Sequence, residues 1–349
     1  MREQPPGVRP LQDYALIIDA RTPKEFAEDH LPGAVNLPIV NQQEFAEVGT
    51  LHQRDPHAAY LLGAQYALRN AANYIGEVIA PLPRRSRLLV YCFRGGKRSR
   101  AWAEPLANIG FHVDVLPGGW KAYRAWVRER LEALCPEVPW RVLTGSTASG
   151  KTRMLQALRE AGAQVVDLEA LASHRGSLLG DLPGEPQPSQ KRFDSLLLEA
   201  LLTLDPDRPV WAEDESKKIG RLQLPLTLHP ALQAAPLWRL ETPMAARVAA
   251  LREDYAHFVA DPLALVRCLQ PLKPLLGQAV LDEWEALAAA GAVDQLFEQL
   301  MLQHYDPCYR RALRPHRQPQ PLPLADLQEP TLARAARQLR ERAEPAGAA

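Results

Sequence analysis

The stretch LTGSTASGKT, residues 143–152, fits the pattern G-x-x-x-x-G-K-[ST] in full from Gly145 to Thr152. Each part has a physical task. The segment Gly145, Ser146, Thr147, Ala148, Ser149, Gly150 lets the backbone turn tightly, so that its N–H groups line up on phosphate oxygens. Lys151 reaches the outer phosphate, and the Thr152 hydroxyl can hold Mg²⁺. The context is the required one. An apolar run from Trp140 reads as a strand, KTRMLQALREAG as a helix and QVVDLE as the next strand, which together make one βαβ unit.

Downstream, HRGSLLGDLPGEPQPSQ reads as a surface loop and KRFDSLLLEALLTL as a helix, followed by strands PVWAEDES and LWRLET. QVVDLE and PVWAEDES both end apolar runs in carboxylates, so Asp167 and Asp214 are candidates to support a metal. From Pro243 the pattern is mainly helical. The end holds a proline-rich link, RPHRQPQPLPLADL, and a helix with Arg334, Arg337 and Arg340 on one face, read as solvated.

Upstream, CPEVP ends a helix with two prolines, which places a boundary near Pro136. The expected division is 1–135, 136–310 and 311–349. The first part again alternates: ALIIDAR as strand, TPKEFAEDH as helix with Thr22 at its cap, and LPGAVNLP as turn and strand. AAYLLGAQYALRNAANYIGEVI follows as a helix kinked at Gly63. SRLLVYC is another strand, SRAWAEPLANIG a helix, and HVDVLPGGW a strand and turn. Alternation of this kind implies an α/β fold with parallel sheets covered on both faces.

Composition sets the outer bounds. The chain has 349 residues, 46% apolar and 23% charged, with formal net charge zero, as expected of a globular chain with two domains. No run of 18 apolar residues suggests a membrane span, and the start MREQPPGVRPLQ has no apolar h-region, so a cytoplasmic location is the default expectation. The four cysteines, Cys92, Cys135, Cys268 and Cys308, form no CxxC pair, which argues against a zinc site or a disulfide framework.

One cysteine stands in unusual company. YCFRGGKRSR, residues 91–100, puts Cys92 at a strand end before two glycines and a helix start. A thiolate there meets unpaired helix N–H groups, a nest made possible by Gly95 and Gly96, and the charges of Arg94, Lys97 and Arg98. Ser99 completes the loop. From Arg84 to Arg100 the chain has seven cations and no acid. Arg84, Arg85, Arg87 and Arg100 are therefore candidate contacts for nucleic-acid phosphates.

DARTPKEFAEDHLPGAVNLP resembles the opening signature of rhodanese domains, with Asp19, Arg21, Glu25, Phe26, His30, Pro32, Gly33, Ala34 and Asn36 at the family's spacing. The resemblance covers roughly residues 12 to 128. It makes Cys92 the sulfur-carrying residue and Asp19, Arg21 and His30 structural supports. The loop departs from the sulfurtransferase pattern, because Cys92 and Arg98 stand one residue further apart. The longer loop opens a wider cup. Two readings stay open at this point: a phosphatase with Cys92 as phosphate acceptor, and a transferase admitting a larger group such as selenophosphate.

A rhodanese-like domain followed by a P-loop domain with a helical C-terminal region resembles the bacterial tRNA 2-selenouridine synthases. Further stretches that look like that family's are YCFRGGKRS, GGWKAYR (118–124), DLEALASHRGSLLG (167–180), QPSQKRFDSLL (187–197) and EDESKKIG (213–220). The resemblance implies a transferase acting on the anticodon loop of tRNA. It would replace the sulfur of wobble 2-thiouridine with selenium from selenophosphate, through S-geranylation by geranyl diphosphate. Cys92 would serve selenation, and the P-loop would hold the prenyl diphosphate with Mg²⁺. The enzyme that makes selenophosphate is an expected partner. Trp120, Tyr123 and Arg175, each inside such a stretch, are candidate tRNA contacts. The competing class is an ATP-dependent sulfurtransferase, or a rhodanese-like phosphatase fused to a P-loop kinase-like domain.

Overall fold

The run RLLVY forms strand β3 (Arg87–Tyr91), following β1 (Leu16–Asp19) and β2 (Ala34–Asn36) and preceding β4 (His112–Val115). Leu88, Leu89, Val90 and Tyr91 are wholly buried, as a strand covered on both faces must be. The computed structural model describes residues 4–312 and 318–343. In it these strands make one parallel sheet in the order β2–β1–β3–β4.

The helices between them are α1 (Pro23–Glu28), α2 (Gln42–His52), α3 (Pro56–Tyr74), α4 (Lys97–Asn108) and α5 (Gly119–Leu134). α1 begins where the sequence places it, by a reciprocal cap: Glu25 N–H donates to the Thr22 hydroxyl, and Thr22 N–H donates to the Glu25 carboxylate. The expected kink at Gly63 is absent. α3 runs through it unbroken, and a Cβ at Gly63 would make only ordinary contact with Val48 of α2, at 3.6 Å. The irregularity falls at Ile75–Ile79, a π-helical turn.

The second sheet is also parallel. Its strands are β5 (Trp140–Thr144), β6 (Gln164–Val165) and β7 (Val210–Glu213), then, after a small hairpin of β8 (Lys218–Ile219) and β9 (Leu222–Gln223), β10 (Leu237–Glu241) and β11 (Gln320–Pro323). The order is β11–β10–β5–β7–β6. From β5 the chain runs out to β6, returns to β7 and then crosses to β10 and β11 on the other side, so the C-terminal end of β5 is a topological switch point, where open α/β sheets bind ligands.

Two expectations for the C-terminal part change. Within the proline-rich link, 314–317 lie outside the described residues, but QPLP is β11, paired with Trp238–Glu241. Proline is tolerated there because an edge strand leaves one row of groups unpaired. The final helix, Glu329–Ala343, buries Leu332, Ala335, Ala336 and Leu339 in the same core as helix Lys151–Glu160. Arg334 and Arg337 are exposed, whereas Arg340 donates to Ala161 O at 2.7 Å.

By contacts the chain forms two compact units, Met1–Leu134 with Pro188–Thr203, and Cys135–Gln187 with Leu204–Ala349. The helix Gln190–Leu202 thus belongs to the first unit, although its sequence neighbours lie in the second. The α5 residue Arg124 fixes it, donating to Lys191 O, the Ser195 hydroxyl and the Asp194 carboxylate.

Candidate functional site

Cys92 follows the last residue of β3, at the carboxyl edge of the first sheet. Its side chain is buried. Burial pushes the thiol up, but the Ser99 hydroxyl and the N–H groups of Arg94, Ser99 and Gly96 outweigh it, and the net effect lies below the ordinary thiol value. The Ser99 hydroxyl is fully buried and has no conventional nitrogen or oxygen partner, so its proton is available to the sulfur. The loop is held from behind by the start of α5: Trp120 N–H donates to Cys92 O at 2.8 Å, and Lys121 N–H to Phe93 O at 3.0 Å. This contact needs Gly119, with φ +59°, because a Cβ there would stand 2.3 Å from Cys92 O.

The cations of the loop are not equivalent. Arg98 forms an ion pair with Glu25 at 2.6 Å, so its charge is already balanced and its place is fixed by the cap of α1. Lys97 lies over the Tyr60 ring, and Arg94 is exposed above Phe93. Beneath the loop, buried Arg21 donates to both oxygens of Asp19 and to Asp29 O. His30 stacks on Phe26 and bonds its carbonyl. These are the supporting roles expected of Asp19, Arg21 and His30.

In the second unit, the phosphate loop follows β5. Three of its carbonyls are tied back: Ser146 O to Ser149 N–H, Thr147 O to Arg247 Nε, and Ser149 O to the Thr242 hydroxyl. Anchoring the carbonyls turns the N–H groups toward the cavity, which is what an anion nest requires. Gly145 has no room for a side chain, since a Cβ would meet the Ser149 hydroxyl at 2.4 Å. Ala148 and Gly150 both have positive φ. Lys151 Nζ donates to Gly145 O at 3.2 Å. The loop forms one wall of a cavity of about 1160 Å³, whose other walls include Glu169, Arg175, Asp214, Glu215, Tyr255 and Tyr305.

The two candidate metal supports have the following partners. Asp167 caps a short helix by accepting from Ala170 N–H, and Asp214 accepts from the Thr144 hydroxyl and Gln233. Glu169, Asp214 and Glu215 line the cavity at the cradle, and Glu213 is buried next to Glu169. Thr152 Oγ1 donates to Glu169 at 3.3 Å, and Glu169 N–H donates to Glu213 at 2.7 Å. Glu213 is buried with one oxygen unpartnered, and burial with three neighbouring acids raises it well above the carboxylate range. Burial and Glu169 push Glu215 up to about 8. The sequence carried a signal for this. In WAEDES, Glu213, Asp214 and Glu215 follow one another where the apolar run of β7 ends, so all three carboxylates fall at the carboxyl edge of the sheet.

A family model for the tRNA 2-selenouridine synthase AAA domain matches residues 138–267, and one for the rhodanese-like domain matches residues 8–125. The chain is 35% identical over 329 residues to the tRNA 2-selenouridine synthase of Aeromonas salmonicida, covering 85% of this chain and 87% of that protein. It is also 35% identical over 269 residues to that of Nitrosomonas europaea, covering 76% and 69%, and 34% identical over 326 residues to that of Shewanella halifaxensis, covering 84% and 87%. The chain belongs to the tRNA 2-selenouridine synthase family.

In this member of the tRNA 2-selenouridine synthase family, the candidate RNA contacts scatter. Trp120 and Tyr123 are corrected: they are 6% and 2% exposed, and Trp120 donates to Asp29 under the loop, so neither ring can receive a base. The basic run also divides. Arg84, Arg85 and Arg87 precede β3 or begin it, about 16 Å along the strand from Cys92. Only the cations from Arg94 to Arg100 share the thiol's edge. Arg175 lines the phosphate cavity, donating to Asp254 O at 2.6 Å and stacking on Tyr255. No helix among the described residues is long and apolar enough to cross a membrane.

Proposed function

We propose that the protein is a tRNA-modifying transferase that exchanges the sulfur of wobble 2-thiouridine for selenium, by way of S-geranylation. The observation that carries this reading is the sulfur of Cys92, faced by the Ser99 hydroxyl and the N–H groups of Arg94, Gly96 and Ser99 in a loop widened by one residue. Such a cup favours a soft nucleophile beside an anionic donor. The relatives' name supplies the class of substrate.

In the first step the thiouridine sulfur attacks the C1 carbon of geranyl diphosphate. The C–O bond breaks, the N3 proton leaves, and diphosphate departs onto the loop N–H groups and Lys151. In the second, selenium from selenophosphate replaces the geranylthio group at C2. Water takes the phosphoryl group, so geranylthiol and phosphate are released with no net oxidation. Cys92 serves this second step, with the donor delivered by the enzyme that makes selenophosphate.

The residues at the cradle fit Mg²⁺, a cation that prefers oxygen and takes few protein ligands. Thr152 and Glu169 would hold it, with phosphate oxygens and water as the other ligands. Among the described residues no three His, Cys, Asp or Glu side chains meet as a metal site. When bound, the ion would neutralise diphosphate charge.

Mass spectrometry of the wobble nucleoside tests the reading. Geranyl diphosphate alone should give the geranylated base, and both donors the seleno base. Cys92→Ala should stop at the geranylated base, and Lys151→Ala should leave 2-thiouridine unchanged. Nucleotide hydrolysis with an unmodified base would overturn it.

A further inference from the structure

Two aromatic rings stand half exposed beside the thiol loop, and the loop's own cations cover them. Tyr60 on α3 is 51% exposed, with Lys97 Nζ 3.5 Å from its ring centre and the His52 ring edge-on at 5.5 Å. Phe45 on α2 is 44% exposed, with the Arg98 guanidinium 5.2 Å from its ring centre. Lys97 and Arg98 lie in the first turn of α4, whose preceding loop cups Cys92. Aromatic rings left in water at a surface rich in cations bring no core packing. They offer a flat π-face next to a positive charge.

That pairing matches a nucleotide, which joins a flat base to an anionic phosphate. We propose that Tyr60 and Phe45 form the platform on which an unpaired base of an RNA loop stacks beside Cys92, with Lys97 and Arg94 meeting the adjoining phosphates. Charge supports RNA as the occupant. Arg94, Lys97 and Arg100 hold no ion pair among the described residues, so an incoming phosphate displaces no carboxylate from them. Arg98 is different: Glu25 holds it in place over Phe45, which keeps that ring and cation in register. A duplex hides its base faces, whereas a loop can splay them out.

This inference rests on the tRNA reading above and deepens it, and one experiment separates the two. Affinity for an anticodon stem-loop RNA is measured by fluorescence anisotropy for wild type, Tyr60→Ala, Tyr60→Phe and Phe45→Ala, beside a fully paired RNA. Each alanine variant should bind the stem-loop about tenfold more weakly or worse. Tyr60→Phe, which keeps the ring, should bind like wild type, and the paired RNA should not distinguish the variants. The rate of Cys92 alkylation and the unfolding midpoint show that the loop is intact. Wild-type binding with no loss in the alanine variants overturns the platform alone and assigns those rings to another partner. No affinity of the wild type for either RNA overturns both readings.

Discussion

The carbonyl of Cys92 occupies the place that a β-carbon on Gly119 would need, 2.3 Å away. The obstacle is backbone on every side, since Gly95 N and the Arg94 carbonyl carbon lie at 2.6 and 2.9 Å. Gly119→Ala should therefore dislocate the thiol loop and cost about 2–4 kcal/mol. Gly96→Ala is the contrast, because nothing lies within 4 Å of its Cβ position and its φ is −96°. Urea unfolding should separate the two, with alkylation of Cys92 at neutral pH lost only in the first.

The Ser99 hydroxyl is set to hold the thiolate. Ser99→Ala should move the pH profile of Cys92 alkylation upward while leaving the limiting rate at high pH. The sign of the stability effect follows from the lowered thiol value. Ionisation favours the folded state, so the contribution is complete above the ordinary value of 9.0 and disappears as pH falls through the folded value. The stability gap between wild type and Cys92→Ala should narrow on acidification.

Arg247 braces the phosphate loop. It donates to Thr147 O and pairs through both terminal nitrogens with Asp306 at 2.6 and 3.0 Å, and the pair is largely buried. Arg247→Met leaves Asp306 without its partner and should cost about 3 kcal/mol. Replacing both, Arg247→Met with Asp306→Met, should recover much of that stability. Diphosphate affinity should stay low in both variants, because Thr147 O has lost its anchor.

His174 orders the loop that carries Arg175. Its Nδ1 accepts from Gly176 N–H at 3.0 Å, which only the neutral ring can do. Burial lowers its value below 6.5, partly opposed by Asp181. Stability from this group is complete above 6.5 and lost as pH falls through the folded value. Hydrogen exchange at Gly176 should speed up more steeply below pH 6.5 than the intrinsic rate allows. His174→Gln should flatten that dependence.

Much of this was legible in the chain because local chemistry dictated it. The Thr22 cap, the buried run of β3 and the glycines of both loops are short-range signals. What remained hidden depended on distant partners. Trp120 looks available in sequence, yet its indole is committed to Asp29. Arg98 counts as a positive charge until Glu25, 73 positions away, is seen to balance it. QPLP reads as a linker, because its pairing with β10 depends on residues about eighty positions earlier. Tyr60 and Phe45 carry no motif at all, and only the fold sets them beside the thiol.

The helix Gln190–Leu202 has a consequence for biosynthesis. Phe193, Leu197 and Leu198 are buried, and Arg124 finds its hydrogen-bond partners there. A nascent chain halted at residue 135 would leave those α5 groups facing water. The amino-terminal unit therefore cannot finish folding until residue 203 has left the ribosome, by which time the phosphate loop is already synthesised.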